Sequence, residues 1–251
     1  MTFSLNFKQK LEQNKPLVGT VQALPSPEVT EMLASAGFDW LWLDMEHSTI
    51  DVPCMQHMLQ AADGRCPCIV RPPSHDESWI KKILDAGADG IIVPLVNSAE
   101  EAERIIRMSK YPPEGCRSVG LARAHGYGMN FQDYIEEANK KITIIMQIEH
   151  IEGVKNIDAI VNVPGVDAVI IGPYDLSGSM GKIGQVNDPE VQQQIDTARK
   201  AALNAGLAVG IFTTRAEEVK SLSDKGYTLI AVGIDTMIFG QALSELLRLS
   251  R

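Results

Sequence analysis

Short apolar runs recur along the chain, and between them apolar residues fall at helical spacing. The first run is Leu17-Val18-Gly19-Thr20-Val21; others occupy residues 38–46, 67–71, 90–94, 142–149, 166–171, 207–213 and 228–232. Each is short, rich in β-branched residues and bounded by Gly, Pro or Asp, the pattern of a buried strand. The stretches between them predict helices over 26–36, 51–62, 76–86, 98–109, 131–139, near 153–161, and over 188–205, 216–224 and 235–249. Start signals support them: Ser26-Pro27-Glu28 and Asp188-Pro189-Glu190 pair a capping side chain with proline in the first turn, and Gly37, Gly87 and Gly206 stand where helices stop. Residues 5–14 read as an amphipathic lead-in helix, and residues 111–130 as a long loop rich in Gly and Arg.

Regular strand–helix alternation predicts a parallel sheet. Eight such units in 251 residues predict a closed (β/α)₈ barrel forming one domain over residues 1–251. A doubly wound sheet is the alternative, but no Gly-x-Gly-x-x-Gly follows the first strand to support a dinucleotide version.

Charge and composition narrow the function. The 23 Lys and Arg against 32 Asp and Glu give a net charge of −9, without a basic run, which argues against nucleic acid as a partner. No apolar stretch approaches the roughly 20 residues of a membrane span. The first residues lack the apolar core and cleavage site of a signal peptide, so a cytoplasmic location is expected. The four cysteines (Cys54, Cys66, Cys68, Cys116) then read as reduced thiols; Cys66-Pro-Cys68 has no second pair to complete a zinc site.

Catalytic groups of such a barrel stand at the C-terminal ends of its strands. Strand two ends Asp44-Met45-Glu46-His47, strand three at Arg71, strand five at Gln147-Ile148-Glu149-His150, strand six at Gly172-Pro173-Tyr174-Asp175 and strand seven at Phe212-Thr213-Thr214. Gln147 and Glu149, two apart, share a face. Glu149 alone could be a helix-start acid, and Asp175 a turn residue capping Ser177. Together, at neighbouring strand ends, they suit a hard divalent cation, with positions left for water and substrate. The segment after Gly172-Pro173 reads as a loop. Arg71 can fork onto a carboxylate or an enolate oxygen, or pair with a rim acid such as Asp44 or Glu46. His47 suits acid–base work with Asp44 as its partner, and His150 competes with it. No lysine falls at a strand end, so the electron sink is expected to be a metal rather than an imine.

The segments GFDWLWLDMEHSTID, VRPP, GADGIIVPLVNSAEEA, GCRSVGLARAHGYG, MQIEHIEGVKNIDAI and VDAVIIGPYDLSGSMG, in this order from about residue 19 to 240, resemble the HpcH/HpaI family of metal-dependent pyruvate aldolases. The resemblance implies a (β/α)₈ barrel assembled as a homohexamer, a trimer of dimers, with the last helix exchanged between paired subunits. It implies Glu149 and Asp175 as ligands of Mg²⁺, Mn²⁺ or Co²⁺, Arg71 at the pyruvate keto oxygen and His47 with Asp44 as an acid–base dyad. Gln147 would contact substrate or a water on the metal, and the backbone near Gly172-Pro173 the pyruvate carboxylate. Two positions depart from the family: Ser118 replaces a frequent glycine, and Phe212 a smaller aliphatic residue, which narrows the aldehyde pocket. The implied reaction is reversible aldol cleavage of a 2-keto-4-hydroxy acid to pyruvate and an aldehyde. The alternatives are oxaloacetate decarboxylation through the same enolate, and a citrate-lyase-type reaction on a CoA thioester, which needs a basic patch that the sequence lacks. A barrel that only binds is a further class, disfavoured by polar residues at four strand ends.

Overall fold

A computed structural model describes residues 6–251. Eight parallel strands close in sequence order into a barrel: β1 (Leu17–Gln22), β2 (Trp40–Asp44), β3 (Cys68–Arg71), β4 (Gly90–Val93), β5 (Thr143–Ile148), β6 (Ala168–Ile171), β7 (Ala208–Thr213) and β8 (Leu229–Ile234). Helix α1 (Phe7–Leu11) precedes β1, and α2 (Pro27–Ser35), α3 (Val52–Ala62), α4 (Glu77–Asp85) and α5 (Ala99–Ser109) follow β1 to β4 in turn. α6 (Phe131–Lys141) leads into β5. α7 (Ile151–Lys155) and α8 (Ile157–Val161) follow β5; α9 (Pro173–Ser179) and α10 (Pro189–Asn204) follow β6. α11 (Val219–Asp224) follows β7, and α12 (Asp235–Leu249) follows β8. The expected barrel is therefore the observed fold.

Alternation along each strand divides the core into two layers. Inward side chains fill the barrel: Leu17, Trp40, Ile69, Ile92, Ile145, Ala168, Ala208 and Leu229 pack as one buried cluster. The outward ones, such as Leu41, Val70, Ile91, Val169 and Ile230, pack against the helices. Helix α1 plugs the N-terminal mouth, its Phe7 ring 6.0 Å from that of Trp40. Gly19 makes room for that indole, since a Cβ on it would lie 2.5 Å from the ring. With hydrocarbon below, the polar ends of the same inward rows gather at the other mouth.

The elements follow their local signals. Ser26, Asp51, Asp76, Ser98 and Asp188 cap α2, α3, α4, α5 and α10 through their side chains. The lead-in helix is shorter than its apolar pattern, and Leu5 of the expected 5–14 span lies outside the described residues. The 111–130 segment carries one 3₁₀ turn, Arg123–His125, and is pinned rather than loose. Arg117 is buried with Nη2 2.6 Å from Asp85 Oδ1 and its guanidinium 4.5 Å above the Tyr111 ring. Ser118 accepts from Lys81 Nζ at 3.1 Å, tying the same segment to α4.

One segment differs in kind. Residues 173–179, expected as loop, form α9, with Gly172 as N-cap and Pro173 in the first turn. Serines and Gly178 weaken helical propensity, but Pro173 supplies the φ of a helix start and Leu176 buries against the core. Asp175 therefore stands on a helical first turn.

Candidate active site at the C-terminal mouth

Five strand ends deliver the site. Asp44 and Arg71 face each other in register on β2 and β3, both inward. Gln147 and Glu149 follow the inward row of β5; Gly172 and Phe212 follow those of β6 and β7. A cavity of about 200 Å³ is lined by Asp44, His47, Arg71, Gln147, Gly172, Pro173, Asp175 and Phe212, with Val21, Trp42, Tyr174 and Ile234 as apolar wall. Eight of the nine residues expected from sequence line this one cavity. The ninth, Glu149, contacts it through Gln147, whose Nε2 donates to Glu149 Oε2.

Arg71 is the centre of the arrangement. It is buried, its guanidinium 4.9 Å from the Trp42 ring centroid. Nε donates to Asp44 Oδ1 at 2.8 Å and Nη2 to Asp44 Oδ2 at 2.7 Å, while Nη1 faces Gln147 Oε1 at 3.4 Å and Glu46 Oε2 at 3.1 Å. The bidentate grip fixes the guanidinium plane and leaves Nη1 towards the cavity. The expected pairing of Asp44 with His47 is not the one formed. Asp44 Oδ1 accepts the backbone N–H groups of Glu46 (3.0 Å) and His47 (3.3 Å), and its side chain belongs to Arg71. The imidazole of His47 is largely exposed, Nε2 3.7 Å from Glu46 Oε2.

Glu149 is buried and accepts the Leu95 N–H at 2.9 Å. Leu95 takes a left-handed backbone, φ 52°, uncommon for a leucine and placed where its N–H meets this carboxylate. Burial raises the Glu149 carboxyl to about 7; the Leu95 N–H and Arg71 oppose the rise, and the charges of Glu46 and Asp175 add to it. Glu46 is also raised, first by burial. Sequence reasoning named Glu46 only as a salt-bridge partner; its approach to both Arg71 and His47 depends on the bend after β2.

Asp44, Glu46, Glu149 and Asp175 surround a single buried cation, Arg71, an acidic surplus that a divalent ion would offset. Space beside the Glu149 carboxylate depends on Gly172: a Cβ there would lie 2.8 Å from Glu149 Oε2 and 3.3 Å from Gln147 Nε2, the donor that holds that oxygen. Among the described residues no three His, Cys, Asp or Glu side chains form a closed cage. Two carboxylate ligands in an open site fit a hard, partly hydrated cation. No lysine lines the cavity. Lys182 is held by Asp188 and Glu190, both at 2.7 Å, and these bonds raise its pKa above the usual value. His150 caps α7, accepting the Glu152 N–H at 3.1 Å, away from the cavity lining. A larger groove, about 670 Å³, runs between α10 and the segment from β7 to α11, and its Arg199 and Arg215 are already paired with Asp196 and Glu218.

A closed parallel barrel with its acidic groups and one fixed arginine at the C-terminal mouth is the form of a (β/α)₈ enzyme. Residues 22–242 match the HpcH/HpaI aldolase/citrate lyase family, and the chain belongs to that family. It is an aldolase, a carbon–carbon lyase. It is 39% identical over 242 residues to the hydroxypyruvate/pyruvate aldolase of Pseudomonas aeruginosa, covering 96% of this chain and 90% of that one. It is 40% identical to the 4-hydroxy-2-oxo-heptane-1,7-dioate aldolase of Klebsiella pneumoniae subsp. pneumoniae, over 96% and 91% of the two chains. The crystal structure of a family member from Burkholderia cenocepacia superposes with a TM-score of 0.93 at 34% identity, covering 97% of this chain and 98% of that one. Among the described residues no helix is long and apolar enough to cross a membrane.

Proposed function

We propose that the protein is a divalent-metal-dependent pyruvate aldolase, reversibly cleaving a 2-keto-4-hydroxy acid to pyruvate and an aldehyde. The single observation that carries the reading is the acidic surplus around Arg71, with Gly172 leaving space beside Glu149. Glu149 and Asp175 would hold the cation, Mg²⁺, Mn²⁺ or Co²⁺, whose chemistry is that of a Lewis acid offsetting the negative charge that grows on the keto acid.

The chain's own residues do the rest. Arg71 Nη1, presented by the Asp44 grip, meets the keto oxygen and stabilises it as it becomes an enolate oxygen. Gln147 Oε1, near Arg71, and Nε2, on Glu149, hold the two groups in one frame. The backbone at Gly172-Pro173, where α9 begins, receives the pyruvate carboxylate. His47 takes the proton of the 4-hydroxyl in cleavage and returns it in condensation. Phe212, with Val21 and Ile234, borders the space for the aldehyde and excludes water from it.

Two measurements on one sample test the reading. Borohydride reduction in the presence of pyruvate should give no pyruvate-sized mass increase, because no lysine is placed to form an imine. The metal-loaded protein should exchange the methyl protons of pyruvate for deuterium, and chelation should stop the exchange. A trapped lysine adduct, with exchange surviving chelation, overturns the metal mechanism.

A further inference from the structure

Leu95 holds a backbone conformation that its side chain does not explain. Its φ of 52° is left-handed, a region that a leucine enters only at an energetic cost. The side chain is exposed, so packing does not repay the strain. Such a conformation persists where the surrounding contacts dictate it, and here the backbone groups on both sides are committed. The Val96 N–H donates to the Gln147 carbonyl at 3.2 Å, the Leu95 carbonyl accepts Asn97 Nδ2 at 3.0 Å, and the Leu95 N–H donates to Glu149 Oε1 at 2.9 Å. The fourth group, the Pro94 carbonyl, accepts from His75 Nε2. A carbonyl only accepts, so this contact makes Nε2 the protonated nitrogen of the ring.

The Pro94 carbonyl and the Leu95 N–H belong to one planar peptide unit, in which the two groups point in opposite directions. A donor seated on the carbonyl therefore fixes where the N–H points, and by polarising the amide it strengthens that donor. The backbone on both sides of His75 is constrained. Pro72 and Pro73 have fixed φ after Arg71, and Asp76 caps α4, accepting the Ser78 N–H at 2.7 Å. The imidazole thus reaches across from the β3–α4 connection to the segment after β4. His75 itself does not line the cavity.

We propose that His75 is a positioning residue for Glu149. Acting through the Pro94–Leu95 peptide, it aims the Leu95 N–H at Oε1 and so fixes the rotation of the carboxylate. The strain at Leu95 is the cost of that aim. The proposal rests on the reading that Glu149 holds the cation, and it adds a residue of a different strand–helix connection to the support of that ligand.

The test is calorimetric titration of Mn²⁺ into His75→Leu, His75→Gln, Leu95→Gly, the His75→Leu/Leu95→Gly pair and Glu149→Gln, with thermal unfolding to show that each is folded. His75→Leu keeps bulk and loses the donor, and it should weaken Mn²⁺ binding roughly 10–100-fold, the range for loss of a group that orients a metal ligand. His75→Gln keeps an N–H donor of similar reach and should stay within about threefold of the parent. Leu95→Gly should also stay within about threefold, because glycine takes the left-handed conformation freely. In the pair, glycine removes the strain that His75 no longer holds, so Mn²⁺ should bind at least about threefold tighter than in His75→Leu alone. Equal losses in His75→Leu and His75→Gln would make the imidazole a packing element and overturn the proposal, as would losses that simply add in the pair. Parent-like affinity in His75→Leu beside a large loss in Glu149→Gln overturns the proposal alone. Parent-like affinity in Glu149→Gln overturns the metal reading on which it rests.

Discussion

Asp44 holds Arg71 by both oxygens, Oδ1 to Nε at 2.8 Å and Oδ2 to Nη2 at 2.7 Å, across two strands that pair these residues in register. The Arg71 guanidinium is thus set by a neighbouring strand rather than by its own loop. Asparagine at position 44 keeps the shape but puts an amide where a second acceptor is needed. Asp44→Asn should lower kcat/KM by about 10²–10³, or roughly 3–4 kcal/mol, the loss typical of one charge-stabilising donor. Arg71→Lys, which keeps charge and loses the fork, should fall in the same range. Steady-state kinetics check both, and values within about twofold of the parent would make the pair purely structural.

Gly172 is small because Glu149 is close. A methyl group there would lie 2.8 Å from both Cβ and Oε2 of Glu149, and the side chain must yield. Gly172→Ala should therefore weaken Mn²⁺ binding at least tenfold. The stability cost should stay within the roughly 1–3 kcal/mol of a local overpacking. Calorimetric titration beside thermal unfolding separates the two effects. Parent-like Mn²⁺ affinity would remove Glu149 from the ligand set.

The Glu149 carboxyl is raised from the usual 4.5 to about 7, chiefly by burial. In the metal-free protein the folded state thus prefers the protonated acid. The resulting stabilising increment is complete below pH 4.5 and is lost as pH rises through about 7. A cation must displace that proton, so Mn²⁺ affinity should climb by about tenfold per pH unit below 7 and level off above it. Titrations between pH 5.5 and 8.5 read this directly. Affinity independent of pH across that range would contradict it.

Helix α12 presents Ile238, Phe239, Leu243, Leu246, Leu247 and Leu249 to solvent in a single chain. So many exposed apolar side chains on one helix call for a partner surface. Light scattering should show an oligomer at working concentration, and Leu246→Asp with Leu247→Asp should shift the population to smaller species. A monomeric parent protein refutes the expectation.

The barrel was legible because period-2 and period-3.6 patterns alternate with clear stops, and each strand end could then be searched for polar groups. The same one-dimensional view paired Asp44 with His47, three residues away. The partner Asp44 takes, Arg71, is remote in sequence and adjacent only through strand register. The sequence did offer Asp44 or Glu46 as partners of Arg71, and both approach it. Helix α9 was missed because Ser177, Gly178 and Ser179 favour a loop, although Gly172-Pro173 is a helix-start signal. The Leu95 N–H on Glu149 had no signal at all, since backbone donors leave no mark in a sequence.

Asp235, the first residue of α12, accepts the N–H groups of Ala23 (3.0 Å) and Leu24 (2.9 Å), just beyond β1. This carboxylate locks the seam where the last strand meets the first. Val21 and Ile234 pair across that seam and both line the cavity. The first turn of the helix thus stands beside the wall of the active site. The far end of the same 15-residue helix carries the exposed apolar side chains, so one element joins the cavity wall to an uncovered surface.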